Sequence, residues 1–192
     1  MAADPRAFLR GRAATRRSTM PFRPILAAAV LAAAASTALA QQGPTEPQIA
    51  AIVVTANQVD VDAGKLAEQR GHAADVKKFA KQMVTDHTAV NKQAGTLVHK
   101  LKVKPEPNDT SASLQKGGDE NMANLKKLEG AAFDKAYVEH EVAYHQAVLD
   151  AIDKTLIPSA SNAELKALLV KVRPVIAEHL EHAKHLQMQL GA

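Results

Sequence analysis

The chain has 192 residues, 24 basic and 20 acidic, with a formal charge of +4 and no cysteine, which excludes disulfide scaffolds, thiol nucleophiles, iron–sulfur clusters and thiolate zinc sites. The positive charge sits at the start: six arginines and Asp4 precede Gln41, leaving 18 basic against 19 acidic residues beyond it, so the high isoelectric point implies no nucleic-acid partner. No tryptophan is present, and Phe79, Phe133, Tyr137 and Tyr144 are the only aromatic residues after Gln41, too few for a base-stacking surface.

Residues 1–40 read as an export signal. Arg6, Arg10, Arg12, Arg16, Arg17 and Arg23 form the charged start, Ile25 to Leu39 are almost entirely alanine and aliphatic, and Ala38-Leu39-Ala40 gives the small-x-small cleavage pattern before Gln41. The apolar run is shorter than the roughly 18 residues of a spanning helix, and no second run follows. Residues 41–192 are therefore expected as one exported domain with no transmembrane span after cleavage. Met20 to Ala40 make a complete signal by themselves, so Met20 is a candidate start. Arg16-Arg17 lack the apolar neighbour of a twin-arginine signal and serve as positive charge.

The remaining domain reads as helical throughout. Thr45-Glu46-Pro47-Gln48 predicts a capping box, with proline tolerated in the first turn, opening a first helix that ends near Arg70 at Gly71. Val76, Ala80, Met83, His87, Val90, Ala94, Leu97 and Leu101 alternate steps of four and three residues, placing all of them on one stripe of a second helix. Pro105 and Pro107 end it. A polar stretch with Gly117 and Gly118 is expected to lead into a short helical arm through Met122, Leu125 and Leu128, up to Gly130.

A third long helix carries Val138, Val142, His145, Leu149, Ile152 and Leu156 and should stop before Pro158. Ser161 with Glu164 predicts a second capping box. The last helix carries Leu165, Leu169, Val172, Ile176, His179, Ala183, Leu186 and Leu190, with Pro174 expected to kink it because the carbonyl of Val170 loses its partner. Four helices of ~25 residues with one apolar stripe each pack most economically as an all-α, antiparallel four-helix bundle.

His87, His145 and His179 stand on three of these stripes where leucine is expected. Asp60 interrupts a stripe of small residues on the first helix, Ile49, Val53, Ala56, Ala63 and Ala67. At ~1.5 Å per residue from the Gly71 end, Asp60 lies ~16 Å along its helix and His87 ~24 Å. If the 103–130 connection crosses back, His145 lies at ~21 Å and His179 at ~16 Å. The up-down-up-down alternative also puts all four at mid-height.

Imidazole suits zinc, copper, iron or nickel, and a carboxylate adds charge. One reading is thus a divalent transition metal (Fe, Zn, Cu or Mn) on His87, His145, His179 and Asp60. The other is a metal-free buried network in which each histidine hydrogen-bonds to Asp60, Asp62, Glu141, Tyr137 or Tyr144. His182 and His185, spaced i, i+3 near the last helix end, read as solvated surface residues. His140 lies with Phe133, Tyr137 and Tyr144 on a neighbouring stripe and reads as packing. His72 and His99 carry no site argument.

Several strings are familiar in this order: Asp60-Val61-Asp62-Ala63-Gly64-Lys65-Leu66-Ala67, Val76-Lys77-Lys78-Phe79-Ala80-Lys81-Gln82-Met83, Asp86-His87-Thr88, Gly130-Ala131-Ala132-Phe133-Asp134-Lys135-Ala136-Tyr137 and His179-Leu180-Glu181-His182-Ala183. Over about residues 46–188 the chain resembles the exported bacterial family called domain of unknown function 4142. The resemblance implies a ferritin-like bundle, a periplasmic or outer-membrane address, and His87, His145 and His179 at recurrent histidine positions. It implies no established activity. Where that family tends to glutamate on the first helix, this chain has the shorter Asp60.

A carboxylate di-iron centre needs Glu-x-x-His pairs, and none occurs: Glu141, Glu178 and Glu181 stand four residues before His145, His182 and His185. Hydrolase motifs and a phosphate loop are also absent. The expectation is a non-catalytic envelope protein that binds a metal ion or a protein partner, with a role under stress. The alternatives are a small redox metalloenzyme using the histidine site, and a structural envelope protein with a metal-free core.

Overall fold

The computed structural model describes residues 43–191; the expected signal peptide and its cleavage point after Ala40 lie outside them. Among the described residues all regular structure is helical. The elements are α1 (Glu46–Arg70), α2 (Ala74–Leu101), α3 (Asp109–Leu125), α4 (Gly130–Ala151), a π-helical turn (Ile152–Leu156), the short α5 (Ile157–Ser159) and α6 (Ala163–Leu190).

The helix ends are fixed by side chains, several of them distant in sequence. At the start of α1 the Thr45 N–H donates to Gln48 Oε1 at 3.0 Å, one half of the expected capping box. The helix closes where the Gly71 N–H donates to Ala67 O at 2.8 Å; a Cβ on Gly71 would stand 2.7 Å from that same oxygen, so only glycine fits. The next two N–H groups, of His72 and Ala73, donate to the Asp134 carboxylate at 2.8 and 2.7 Å, which ties the start of α2 to α4.

The start of α6 differs from its expected capping box. Asn162 is the cap, its Oδ1 accepting from Glu164 and Leu165 N–H at 2.9 and 3.1 Å. Ser161 is instead engaged by Glu46 Oε1, which accepts from Ser161 N–H at 2.6 Å, Ser161 Oγ–H at 2.7 Å and Asn162 N–H at 2.7 Å. An anion from α1 thus occupies the positive end of α6. Beyond it α6 runs unbroken through the exposed Pro174 to Leu190.

Two further expectations change. The polar stretch before Met122 is not a loop, because α3 begins at Asp109 and contains Gly117 and Gly118. Asn108 caps it, accepting from Ser111 N–H at 2.9 Å, and Gly118 lets it lie against α1, since a Cβ there would stand 2.7 Å from Val59 Cγ2. The third long helix does not keep α-geometry up to Pro158. Pro158 has no N–H to offer, and the turn before it widens: Ile157 N–H reaches back five residues to Ile152 O.

The core forms two apolar layers. One gathers Ile49 and Val53 of α1, Val90 and Ala94 of α2, Ile152 and Leu156, and Leu165 to Ile176 of α6. The other gathers Ala63 and Ala67 of α1, Val76 to Met83 of α2, Phe133 to Val138 of α4, and Ala183 and Leu186 of α6. Along α1 and α6 the chain meets the first layer and then the second; along α2 and α4 it meets them in the reverse order. The connection between α2 and α4 therefore crosses back, and α3 makes the crossing packed along α1, with Leu114 against the first layer and Leu125 in the second.

Candidate metal centre

Between the two layers each of the four long helices contributes polar side chains at one level: Asn57 and Asp60 from α1, His87 from α2, Glu141 and His145 from α4, and His179 from α6. All six are buried, with exposures of 7, 3, 3, 0, 0 and 1%. The ring centroids of His87, His145 and His179 are 5.3–5.6 Å apart. All four sequence-derived site residues converge, and Asp60 reaches the group despite its short side chain.

The hydrogen bonds determine which ring nitrogens carry protons. Asn57 Nδ2 donates to Val53 O at 2.7 Å, which leaves Asn57 Oδ1 as acceptor for His87 Nδ1–H at 2.7 Å. His145 Nδ1–H donates to the Glu141 carbonyl at 3.0 Å, and His179 Nε2–H to Asp86 Oδ2 at 3.0 Å. In a neutral imidazole the second nitrogen is then a bare acceptor. His87 Nε2, His145 Nε2 and His179 Nδ1 are those atoms, and each is buried without a hydrogen-bond partner. This division, one nitrogen fixed by an acceptor and the other free, is how imidazole metal ligands are held.

The surroundings of His87 and His179 favour neutral rings. Burial lowers His87, with His145 and His179 adding to the effect. Burial lowers His179 too, against the opposing Asp86 carboxylate. The acids move the other way. Burial and the neighbouring Glu141 hold Asp60 well above the ordinary carboxylate range, and burial pushes Glu141 up to about 7. Glu141 Oε2 lies 3.3 Å from His145 Nδ1, and its carboxyl is the neighbour of Asp60 and Tyr137.

The donor atoms form two overlapping sets. His87, His145 and His179 offer ring nitrogens within 4.8 Å of one another, and Asp60, Glu141 and His145 offer a second group within the same span. Tetrahedral ligation at ~2.0–2.1 Å spaces donors roughly 3.3 Å apart, so an ion shared by the three imidazoles would require them to close from this span. Asp60 Oδ2, 3.1 Å from His87 Nε2 and 3.6 Å from His145 Nε2, is placed to be the charged ligand.

The other histidines stay apart from this layer. His140 is half-buried and stacks on Tyr144, with centroids 5.5 Å apart, and burial lowers it to about 4. His182 packs edge-on against Phe79, His185 and His99 are exposed, and His72 contributes its backbone N–H to Asp134. Of the expected network partners, Asp62 is exposed and accepts from Gln58, while Tyr144 donates to Ala56 O at 2.9 Å. Asn57 and Asp86 were missed from sequence. Asn57 follows Val53 by four residues on the buried face of α1 and was in principle visible; Asp86 lies at the edge of the α2 stripe, where periodicity carries no signal.

A cavity of about 390 Å³ adjoins the layer and is lined at its inner end by Asn57, Asp60 and His87. No helix among the described residues is long and apolar enough to cross a membrane. No curated protein and no solved structure matches the chain. The match is at the level of family: over residues 28–186 the chain belongs to the family described as Domain of unknown function (DUF4142).

Proposed function

We propose that this protein is an exported, ferritin-like four-helix bundle that binds a divalent transition metal through His87, His145, His179 and Asp60, without catalysis. The reading is carried by one observation: three buried imidazoles each have one nitrogen committed to a fixed acceptor and the other bare, and two of the bare atoms, His87 Nε2 and His145 Nε2, face the Asp60 carboxylate. A hydrogen-bonded network would use those nitrogens. The order in which α1, α2, α4 and α6 traverse the two apolar layers supports the bundle, and the Arg-rich, alanine-rich start ending in Ala38-Leu39-Ala40 supports export to the periplasm or outer membrane, where a protein partner or a stress role would lie.

The bound ion would be iron, zinc, copper or manganese. Neutral imidazoles suit the first three, and the carboxylates of Asp60 and Glu141 extend the set to manganese. The residues supply a preformed, desolvated cage; Asn57, Asp86 and the Glu141 carbonyl hold the rings in the ligating tautomer. The reading of a small redox metalloenzyme draws on the cavity that reaches Asp60 and His87, because a catalytic ion keeps an open position.

The test is elemental analysis of untagged protein from a native periplasmic fraction, with intact mass on the same sample. The expected result is about one metal ion per chain and a mature N-terminus at Gln41. Protein free of metal that also takes up none on titration would overturn the metal assignment, and retention of residues 1–40 would overturn the export assignment.

A further inference from the structure

The cavity beside the histidine layer is walled by α1, α2, α3, α4, the π-helical turn and α6. At about 390 Å³ it falls in the range of small-molecule sites, with room for roughly a dozen non-hydrogen atoms at the ~30 Å³ that a water-sized group occupies in a liquid. Its walls are aliphatic, from Ile52 and Val53 to Val172 and Ile176. The π-helical turn supplies Ile152 and Leu156 to the far end, so the local widening before Pro158 helps shape the chamber.

The mouth lies between α3 and α4. Thr110, Ser113 and Gly117 of α3 and Ala147 of α4 line it and are exposed. The five α3 residues that line the cavity, Thr110, Ser113, Leu114, Gly117 and Gly118, are spaced i, i+3, i+4, i+7 and i+8, a single helix face. Small residues on that face leave the chamber open where leucines would fill it. Since α3 packs along α1 and barely touches α4, the seam is the least tightly closed wall.

Charge decides the class of occupant. No lysine or arginine lines the cavity, and Asp60 is its only carboxylate. An anionic head group would find no cation to pair with and an acid to oppose it, and a buried unpaired charge is strongly disfavoured. The lining nevertheless offers hydrogen-bonding groups, Asn57 and Asp60 among them. We propose that this cavity binds an uncharged single-chain molecule of about ten to twelve non-hydrogen atoms, its apolar tail between α3, α4 and α6 and one terminal hydroxyl directed at Asn57 and Asp60. The apolar walls do not depend on the metal reading, although Asp60 belongs to both sites.

The probe is 1-decanol, titrated by isothermal calorimetry into the full mature protein in chelator, with zinc uptake measured in a separate titration. Saturable binding at one site per chain is expected in chelator, with decanoate at least tenfold weaker. Ala151→Phe, which fills the chamber, and Ala147→Trp, which blocks its exposed mouth, should each weaken decanol at least tenfold. The second variant serves if the first fails to fold. Absence of saturable decanol binding, decanoate as tight as decanol, or full binding by a folded filled or blocked variant would overturn the proposal. A protein that binds decanol but no metal would overturn the metal reading alone.

Discussion

His87 Nε2 stands 3.1 Å from Asp60 Oδ2, and no hydrogen bond joins them. With His87 Nδ1–H committed to Asn57, the facing atoms are two acceptors, which repel unless a proton or a cation lies between them. A metal ion removes that repulsion for all three imidazoles together. Thermal melts of the parent should therefore rise with zinc, manganese or copper, by about 2.7 kcal/mol in stability when the free ion is at a hundred times its dissociation constant. His87→Ala, His145→Ala and His179→Ala should each abolish most of that gain. If all three variants gain as much as the parent, the histidines are not the ligands.

The acceptors behind the rings should matter almost as much as the rings. Asn57→Ala releases His87 Nδ1–H, and Asp86→Ala releases His179 Nε2–H, from bonds of 2.7 and 3.0 Å. Each change is expected to weaken metal binding by roughly tenfold to a hundredfold, the range for loss of such orienting partners. Asp86→Asn keeps an acceptor oxygen and should recover much of the affinity. Competition against a chromogenic chelator reads this directly, and an Asp86→Ala variant with parental affinity would show that the tautomer of His179 is not set by that bond.

The long helices and the polar layer were legible because both follow from periodicity. His87 interrupts a stripe of residues at helical spacing, and a residue so placed must face the core whatever the detailed packing. Rise per residue then put Asp60, His145 and His179 near the same level. The capping of α6 by Glu46 was not legible, because a contact across 115 residues leaves no local mark beside the plausible Ser161–Glu164 pair. Gly117 and Gly118 misled for a similar reason. Two adjacent glycines suggest a loop on propensity, but Gly118 is a contact point for Val59 and the packing of α3 on α1 overrides the preference.

Those two glycines separate packing from propensity. A Cβ on Gly118 would stand 2.7 and 2.8 Å from the two Cγ atoms of Val59, while one on Gly117 would meet nothing within 4 Å. Gly118→Ala should destabilise by about 1–3 kcal/mol through overpacking. Gly117→Ala should stabilise by about 0.4–1 kcal/mol, since alanine restricts the unfolded chain at no steric cost. Urea unfolding of both variants gives the two signs. Destabilisation by both would mean that α3 needs flexibility rather than close approach.

Glu141 supplies the last expectation, which concerns alkaline pH. Its carboxyl is fully buried, and burial raises it from 4.5 to about 7. In the unfolded chain the acid is already ionised above about pH 5, so the folded state alone must give up this proton as pH rises further. The stability that the raised value confers is present at low pH and is lost as pH rises through about 7, the direction required for a group whose folded pKa exceeds its unfolded one. Asp60, also raised by burial, adds to the same trend. Above about pH 6.5 unfolded histidines are mostly neutral, so the lowered His87 and His179 contribute little in that window. Through Glu141, metal-free protein should lose roughly 1 kcal/mol between about pH 6.5 and about pH 9, the tail of a larger loss that begins near pH 5, and Glu141→Gln should flatten that part of the curve. Metal-loaded protein should resist the decline, because a cation favours the ionised acids. Denaturant unfolding in chelator across this range decides it: a parent curve that stays level would mean that Glu141 is already ionised within the fold at neutral pH.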